Sequence, residues 1–398
     1  MGNTLKLLKN QLSQQQMWER LRSAMALPRP AMRQRGFVKS HLRETQNFGT
    51  NPGALRMFTH LPQTVAREFP LVVVLHGCTQ TAAGYDLGAG WSTLANRYGF
   101  ALLFPEQQRA NNPNGCFNWF QTGDIERGHG EALSIRQMIA KMVSDHAIDA
   151  RQVFVTGLSA GGAMTSVMLA TYPDVFAGGA IIAGLPYGAA VNVQQAFASM
   201  AQSPPRSARA WGDLVRNASP HKGSWPHISV WHGSADSTVA PSNAREILKQ
   251  WTDLHGISIE PSFTENVDQF PRQVWRGVEG DELIESYTIQ NMAHGTPLEV
   301  GEDCDQCGTA GAFLLDVGIS SSYRVAKFWG IADHQIVTTH AEGNLVPIAA
   351  ELNVHGMGDS QRERVSAFEP ASGTDPSHFD IGAVITNALK AAGLMKSP

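Results

Sequence analysis

The sequence predicts an α/β fold in which a mainly parallel, doubly wound sheet carries helices on both faces. Short apolar segments, typical of strands buried on both sides, alternate with helical patterns through residues 54–300. Parallel strands need such crossover connections, so the alternation itself indicates the type of sheet. The predicted strands lie at 54–60, 71–75, 100–104, 153–156, 180–183, 228–231 and 283–289. The predicted helices lie at 84–98, 130–146, 160–172, 240–255 and 320–329.

Extensions flank this main domain on both sides. Apolar residues recur at loose helical spacing near the N-terminus until prolines at 28 and 30, which predicts a helical arm. An amphipathic helix is predicted at 380–395; docking onto the core is expected, and binding to a partner or a hydrophobic granule is the alternative. Residues 185–225 form either an insertion between core strands or an ordinary surface excursion. The predicted segments are an arm at 1–45, the α/β domain at 46–335 and a C-terminal extension at 336–398.

Composition limits the classes of protein to which the chain can belong. The 398 residues are 42% hydrophobic and 17% charged, which is enough apolar material for a sizeable core. The net charge is −4 without a basic stripe, which argues against a nucleic-acid partner. No window approaches the roughly 18 consecutive apolar residues of a membrane-spanning helix. We therefore expect a globular protein that acts on something other than nucleic acid or the bilayer interior.

The N-terminus and the four cysteines bear on the compartment and on metal binding. The first residues lack the continuous apolar core of a secretory signal, so a cytoplasmic location is expected. Four cysteines in a chain of this length do not form a disulfide scaffold. Cys304 and Cys307 have the spacing of half a zinc ribbon, but no second pair follows. Free thiols or local bridges are favoured, and neither a metal nor a cofactor is expected.

Residues 153–169 are the most informative segment of the sequence. A β-branched and aromatic run leads through Gly157 to Ser159, and Gly161 then opens a helix-forming stretch. The pattern Gly-x-Ser-x-Gly between a strand and a helix is typical of a nucleophile elbow, which holds an exposed serine hydroxyl at a sharp turn. The glycines lack a Cβ and so allow the strand and the helix to approach each other closely. The segment predicts Ser159 as the nucleophile of an acyl transfer.

An acyl-transfer serine needs a base and a carboxylate that orients the base. In enzymes with this elbow the three residues follow in the order Ser, Asp or Glu, His, each after a core strand. Asp236 follows the predicted strand at 228–231, and a helix cap or turn is its alternative role. Of the 14 histidines, only His294 lies in the turn directly after the last predicted core strand. We therefore predict that His294 exchanges protons with Ser159 and that Asp236 holds the other ring nitrogen.

Two more segments are candidates for parts of the same site. Cys78 follows the strand at 71–75, where the second oxyanion donor is expected, so we assign the backbone N–H groups of Cys78 and Ala160 to the oxyanion hole. A nucleophilic role for the Cys78 thiol is the alternative, but no elbow surrounds it. Asn118 and Trp119 follow a polar turn and could form a substrate wall; core packing is the alternative.

Several sequence blocks resemble the poly(3-hydroxybutyrate) depolymerase family of esterases, and the likeness covers roughly residues 50–330. The blocks are HGCTQ at 76–80, GCFNW at 115–119, GLSAGG at 157–162 and GISSSY at 318–323 with FWG at 328–330. The resemblance implies an α/β-hydrolase fold and hydrolysis of a polyester of short 3-hydroxy acids. It places the family's Ser, Asp and His at Ser159, Asp236 and His294. It also suggests a bridge between Cys78 and Cys116.

The expected function is that of a serine esterase acting on poly(3-hydroxybutyrate) or its oligomers through an acyl-enzyme. A feruloyl, acetylxylan or general short-chain carboxylesterase is the alternative within enzymes, because the family includes such relatives. A non-catalytic granule-binding protein on a hydrolase scaffold is the alternative from another class. Many family members are secreted, so an extracellular location is the alternative to the cytoplasm. Association with polymer granules is a further expectation.

Overall fold

The structure is a computed structural model that describes residues 40–62 and 68–333. Most of the predicted arm at 1–45 and nearly all of the extension at 336–398, including the helix at 380–395, lie outside the described residues. The last residues of the arm are described, and Arg43–Thr45 is a short strand, β1, rather than a helix. The fold and the site below concern the described residues alone.

A ten-stranded sheet forms the centre of the described part of the chain, in the order β1-β2-β4-β3-β5-β6-β7-β10-β9-β8. The six central strands are mutually parallel, whereas the pairs at either edge are antiparallel. The central strands are β3 (Phe69–Leu75), β4 (Ala101–Glu106), β5 (Ile148–Leu158), β6 (Gly178–Ile182), β7 (His227–Gly233) and β10 (Glu282–Ile289). The edge strands are β1, β2 (Arg56–His60), β8 (Phe263–Val267) and β9 (Phe270–Arg276).

Helices cover both faces of this sheet, which confirms the predicted fold class. Successive side chains of β3 belong to two different hydrophobic clusters, because strand side chains alternate between faces. One cluster takes in α3 (Thr122–Ile125), α4 (Gly130–Asp145), α5 (Ala160–Thr171), α6 (Val193–Ala201), α7 (Ala208–Ala218) and α8 (Ser242–His255). The other takes in α1 (Ala82–Ala89), α2 (Trp91–Tyr98) and α9 (Ser321–Phe328). None of these described helices has the length and apolar content that a bilayer crossing needs.

The single helix predicted at 84–98 is two helices, so this prediction was wrong. Gly90 adopts a left-handed conformation with φ 76° and ends α1 before α2 begins. A Cβ at Gly90 would lie 2.6 Å from the Cβ of Cys307 and 2.6 Å from the amide nitrogen of Gly308. The break therefore accommodates a segment more than 200 residues away in sequence. No local pattern carries that information.

The sequence patterns did not predict the hairpin formed by β8 and β9. The two residues of its turn, Asp268 and Gln269, have positive φ values of 50° and 71°. Hairpin turns with such values usually contain Asn-Gly or Asp-Gly, whereas this turn does not. The strands also extend the sheet at a largely solvated edge and so lack the apolar runs of the central strands. A two-stranded sheet of β11 (Thr296–Leu298) and β12 (Leu314–Asp316) was likewise not predicted. Residues 185–225 contain α6 and α7, and the side chain of Trp211 in α7 is fully buried.

Candidate active site

Ser159 occupies the turn between β5 and α5 in a backbone conformation that non-glycine residues rarely adopt. Its φ is 57° and its ψ is −115°, and the backbone N–H donates to the carbonyl of Ile182 at 2.9 Å. Such conformations cost about 1–3 kcal/mol and persist only where the surroundings enforce them. The side chain is partly exposed although the helix behind it is wholly buried. The turn therefore exposes part of the Ser159 side chain above a closely packed, buried helix.

The glycines around this turn are required by close backbone packing. A Cβ on Gly157 would lie 2.5 Å from the backbone of Gly161, and a Cβ on Gly161 would collide with the carbonyl oxygen of Leu75 at the end of β3. A Cβ on Gly162 would lie 2.8 Å from the carbonyl oxygen of Ile182 in β6. The elbow is therefore wedged between the carboxyl ends of its two neighbouring strands, as the spacing of the glycines predicts.

Asp236 and His294 meet at the same edge of the sheet. Asp236 lies in the turn after β7, His294 in the turn after β10, and these neighbouring strands are parallel. His294 Nδ1 lies 2.7 Å from Asp236 Oδ2, and both side chains are buried. Ser159 follows β5, which is parallel to β7 in the same sheet, so all three residues emerge at the carboxyl edge where open α/β sheets bind substrates.

Hydrogen bonds fix the two turns against each other. Ser234 and Ala235 donate their N–H groups to the carbonyls of Ile289 and Met292, at 2.9 and 3.0 Å. The N–H of Asn291 donates to Ser234 Oγ at 2.8 Å. Loops held in this way keep the carboxylate and the imidazole in register without help from substrate, which is the preorganisation that proton transfer requires.

The Asp236 carboxylate is buried, yet it is surrounded by donors. Oδ1 accepts the backbone N–H groups of Thr238 and Val239 at 2.8 and 2.9 Å. Oδ2 faces His294, and His232 Nε2 lies 3.3 Å away on the same oxygen. Burial by itself raises the pKa of Asp236, but the hydrogen bonds from His232 and His294 outweigh it and hold the pKa well below its usual range. Asp236 is therefore ionised, and a carboxylate at this position favours the His294 tautomer with its proton on Nδ1 and a lone pair on Nε2.

A disulfide links Cys78, on the loop after β3, to Cys116. Neither the Cys78 N–H nor the Ala160 N–H has an acceptor among the described residues, whereas the N–H of Thr79 donates to the carbonyl of Asn114 at 2.7 Å. His76 Nδ1 lies 2.8 Å from the carbonyl oxygen of Gly77. Because C=O and N–H point in opposite directions across a trans peptide, this bond also sets the direction of the Cys78 N–H. Both N–H groups assigned to the oxyanion hole are thus available to a ligand.

A buried acid lies beneath the same loop. Glu131 is fully buried; its Oε2 accepts the N–H of Asn118 at 2.9 Å and its Oε1 accepts the side chain of Gln107 at 2.5 Å. Burial, reinforced by the charge of Asp124, raises the pKa of Glu131 to about 8. The N–H of Gln107 in turn donates to His76 Nε2 at 3.1 Å. Glu131 therefore connects the segment after Cys116 to His76, through Asn118 on one side and Gln107 on the other.

Asn118 and Trp119, the predicted substrate wall, are packed into the protein. Asn118 is 4% exposed and its Oδ1 accepts from Asn112 at 3.0 Å; Trp119 is 7% exposed and stacks edge-on against Phe120. This is the core packing that the sequence left open as the alternative. Contact of either residue with substrate stays a prediction.

A pocket of about 240 Å³, lined by polar residues, adjoins the Cys78 loop. Its lining includes Thr79 and Gln80, which directly follow Cys78, and the guanidinium-bearing side chains of Arg56 and Arg109. The side chains that line the pocket carry hydrogen-bonding groups. Cys304 and Cys307 are unbridged, and no group of three metal-ligating side chains occurs within residues 40–62 and 68–333.

Comparison with known proteins identifies the family. A family model described as esterase PHB depolymerase matches residues 55–263. The chain belongs to the esterase PHB depolymerase family. Poly(3-hydroxyalkanoate) depolymerase C of Paucimonas lemoignei is 52% identical over 291 residues, which cover 73% of this chain and 70% of that protein. An acetylxylan esterase of Coprinopsis cinerea is 35% identical over 263 residues, 64% of this chain and 69% of that protein. Feruloyl esterase B of Neurospora crassa is 32% identical over 266 residues, 64% of this chain and 88% of that protein.

A solved structure supports the same assignment. An acetyl xylan esterase from Aspergillus awamori superimposes with a TM-score of 0.61 and 26% identity, covering 73% of this chain and 99% of that chain. The predicted α/β-hydrolase fold is thereby confirmed. As a member of the esterase PHB depolymerase family, the protein is a carboxylic ester hydrolase.

The sequence patterns did not single out two buried histidines that contact this site. His76 and His232 each immediately precede a glycine at the carboxyl end of a parallel strand, β3 or β7. A His-Gly pair at that position, repeated in one chain, is a pattern that could have identified them. Glu131 had no such pattern, because only the tertiary fold brings α4 beneath the disulfide loop.

Proposed function

We propose that the protein is a serine esterase that hydrolyses poly(3-hydroxybutyrate) or its oligomers, with Ser159 as nucleophile, His294 as base and Asp236 as the orienting carboxylate. The observation that carries the proposal is the 2.7 Å contact between His294 Nδ1 and Asp236 Oδ2 at the sheet edge to which the strained Ser159 turn also belongs. An ionised carboxylate at Nδ1 gives the imidazole the tautomer that a general base needs.

The reaction divides into two steps of the same kind. Ser159 Oγ attacks the ester carbonyl while His294 Nε2 accepts the hydroxyl proton, and His294 returns that proton to the departing alcohol. Water then attacks the acyl-enzyme by the same route and releases the acid and the free serine. In both steps Asp236 stabilises the imidazolium that forms between the two proton transfers.

The negative charge that develops on the carbonyl oxygen is expected to meet the N–H groups of Cys78 and Ala160. Ala160 is the first residue of α5, where N–H groups have no partner within the helix and the helix dipole favours negative charge. Loss of one such donor typically costs about 3–4 kcal/mol of transition-state stabilisation. The absence of acceptors for both groups among the described residues supports this assignment.

The relative at 52% identity, named for poly(3-hydroxyalkanoate) depolymerisation, supports the polyester as substrate. The acetylxylan and feruloyl esterases at 35% and 32% identity favour a second candidate function on sugar-linked esters. The polar pocket beside Thr79 has groups that could bind either the ester carbonyls of a polyester or sugar hydroxyls. A panel of poly(3-hydroxybutyrate), a hydroxybutyrate trimer, methyl ferulate and acetylated xylan separates the two. Higher kcat/KM on both methyl ferulate and acetylated xylan than on the trimer would overturn the polyester proposal.

The nucleophile is tested by Ser159→Ala. We expect kcat on p-nitrophenyl butyrate to fall by about 10⁶-fold, as for loss of other triad serines, with an unchanged circular-dichroism spectrum. Ser144→Ala, which alters an exposed serine at the end of α4, is the matched control and keeps the parent rate. Parent-level turnover by Ser159→Ala would exclude this mechanism.

A fluorophosphonate probe tests the non-catalytic alternative. A serine activated by His294 reacts with the probe, and Ser159→Ala does not. A protein that binds polymer granules but leaves the probe unreacted is a scaffold rather than an esterase. Labelling of a serine other than Ser159 would move the nucleophile elsewhere.

A further inference from the structure

We propose that His232 is a positioning residue for Asp236: its Nε2–H holds the Asp236 turn and the carboxylate in the orientation that receives His294. The proposal rests on the proposed function, because it assigns a second histidine to the carboxylate of that site. His232 precedes Asp236 in the sequence, whereas His294 follows it. In this role His232 does not need to touch the substrate.

The contacts of His232 connect both ends of the turn that carries Asp236. Its Nε2 lies 2.8 Å from the carbonyl oxygen of Val239 and 3.3 Å from Asp236 Oδ2. The N–H of Val239 in turn donates to Asp236 Oδ1 at 2.9 Å. Nε2 therefore contacts the Val239 peptide at the end of the turn and also approaches the Asp236 carboxylate at the start of the turn. His232 itself is anchored in β7 and is only 3% exposed.

The other ring nitrogen settles where the proton lies. His232 Nδ1 is buried and has no hydrogen-bond partner among the described residues. A proton placed there would have no acceptor, whereas Nε2 faces two acceptors, the Val239 carbonyl and the Asp236 carboxylate. The ring therefore carries a proton on Nε2 and donates from that nitrogen. A buried nitrogen without a partner costs free energy, so the contacts made by Nε2 have to offset the cost of the unpartnered Nδ1.

The surroundings of Asp236 make this donor matter. The titratable groups that act on the carboxylate are His232 from β7 and His294 from the turn after β10; the remaining contacts are the backbone N–H groups of Thr238 and Val239. No lysine or arginine forms an ion pair with Asp236 in the described part of the chain. A donor on Oδ2 withdraws part of the charge that would otherwise act on His294. Its removal should let the carboxylate hold the His294 imidazolium more tightly and in a less fixed orientation.

Two substitutions separate these effects. His232→Leu removes the donor and keeps an apolar side chain of similar reach, whereas His232→Gln keeps an N–H near the Nε2 position. For His232→Leu we expect kcat/KM on p-nitrophenyl butyrate to fall about tenfold. Because activity needs neutral His294, the acid limb of the kcat/KM profile should also move to higher pH, by about half a unit. His232→Gln should recover most of the activity and the parent position of the limb.

The control is a half-buried histidine that also contacts a backbone carbonyl through Nε2 but is remote from Asp236. His255 Nε2 lies 3.1 Å from the carbonyl oxygen of Pro226, and His255→Leu should lower the melting temperature without moving the acid limb. If His232→Leu does not fold, His232→Asn replaces it, because the shorter amide cannot reach Val239. An unmoved acid limb in the Leu or Asn variant, or no recovery in His232→Gln, overturns the proposal. An active Ser159→Ala instead overturns the proposed function, so the two failures are distinguishable.

Discussion

Two buried carboxyl groups flank the candidate site, and their pKa values are shifted in opposite directions. Burial raises the pKa of both; for Glu131, beneath the disulfide loop, the charge of Asp124 adds to that effect. For Asp236, beside His294, two histidine hydrogen bonds reverse it. The number of donors differs too: Glu131 accepts two neutral N–H groups, whereas Asp236 meets two backbone N–H groups and two imidazoles. The comparison shows that burial alone does not decide whether a carboxyl group is ionised.

The opposite shifts have opposite consequences for stability. Asp236, with a lowered pKa, stabilises the fold at pH values above the ordinary carboxyl range and loses that contribution as pH falls through the range. Glu131, with a raised pKa, keeps a proton in the native state between about pH 4.3, the ordinary value, and pH 8. Its contribution therefore declines as pH rises through that window. We infer a catalytic partner in Asp236 and a structural acid in Glu131.

The largest expected effect comes from neutralising each carboxyl group in turn. Asp236→Asn should lower kcat by about 10⁴-fold, because the amide stabilises the wrong tautomer of His294 and cannot offset the imidazolium charge. Glu131→Gln should lower kcat by less than about tenfold, since this residue contacts the loop rather than the acid–base pair. Steady-state kinetics on p-nitrophenyl butyrate measures both, and equal losses would erase the distinction between the two groups.

The next effect concerns how the two sides of the site are held. The Cys78 side is cross-linked across a sequence separation of 38 residues, whereas hydrogen bonds join the Asp236 turn to the His294 turn. Replacing both Cys78 and Cys116 by alanine should lower the free energy of unfolding by about 2–4 kcal/mol. Urea denaturation measures this loss. Cys304→Ala, at an exposed unbridged cysteine, is the control and should leave the unfolding free energy unchanged.

The smallest expected effect is a pH dependence. Glu131→Gln cannot ionise, so the difference in unfolding free energy between parent and variant should change in the variant's favour, by about 2 kcal/mol, between pH 6.5 and pH 9. The variant loses an acceptor at every pH, which lowers its stability uniformly but leaves this slope intact. Urea titrations at four pH values give the slope. A constant difference would show that Glu131 has an ordinary pKa.

The sequence allowed the three proposed catalytic residues to be selected, but not the residues that support them. Ser159, Asp236 and His294 could be selected because each follows a buried apolar strand, and parallel strands end at one edge of a sheet. His232, His76 and Glu131 could not be selected in the same way, since their roles depend on contacts made across the fold. The helix break at Gly90 and the β8–β9 hairpin could not be predicted from local patterns either. The break accommodates a distant segment, and the hairpin turn contains no glycine.

By itself, the sequence determined the α/β class, the positions of the central strands and the serine elbow, because hydrophobic period and glycine spacing act over a few residues. Only the tertiary structure decided that His294 and Asp236 lie 2.7 Å apart, that Asn118 and Trp119 are packed inside, and that one buried acid is ionised while another keeps its proton. Those outcomes depend on burial and on donors contributed by separate strands, and such quantities exist only once the chain has folded.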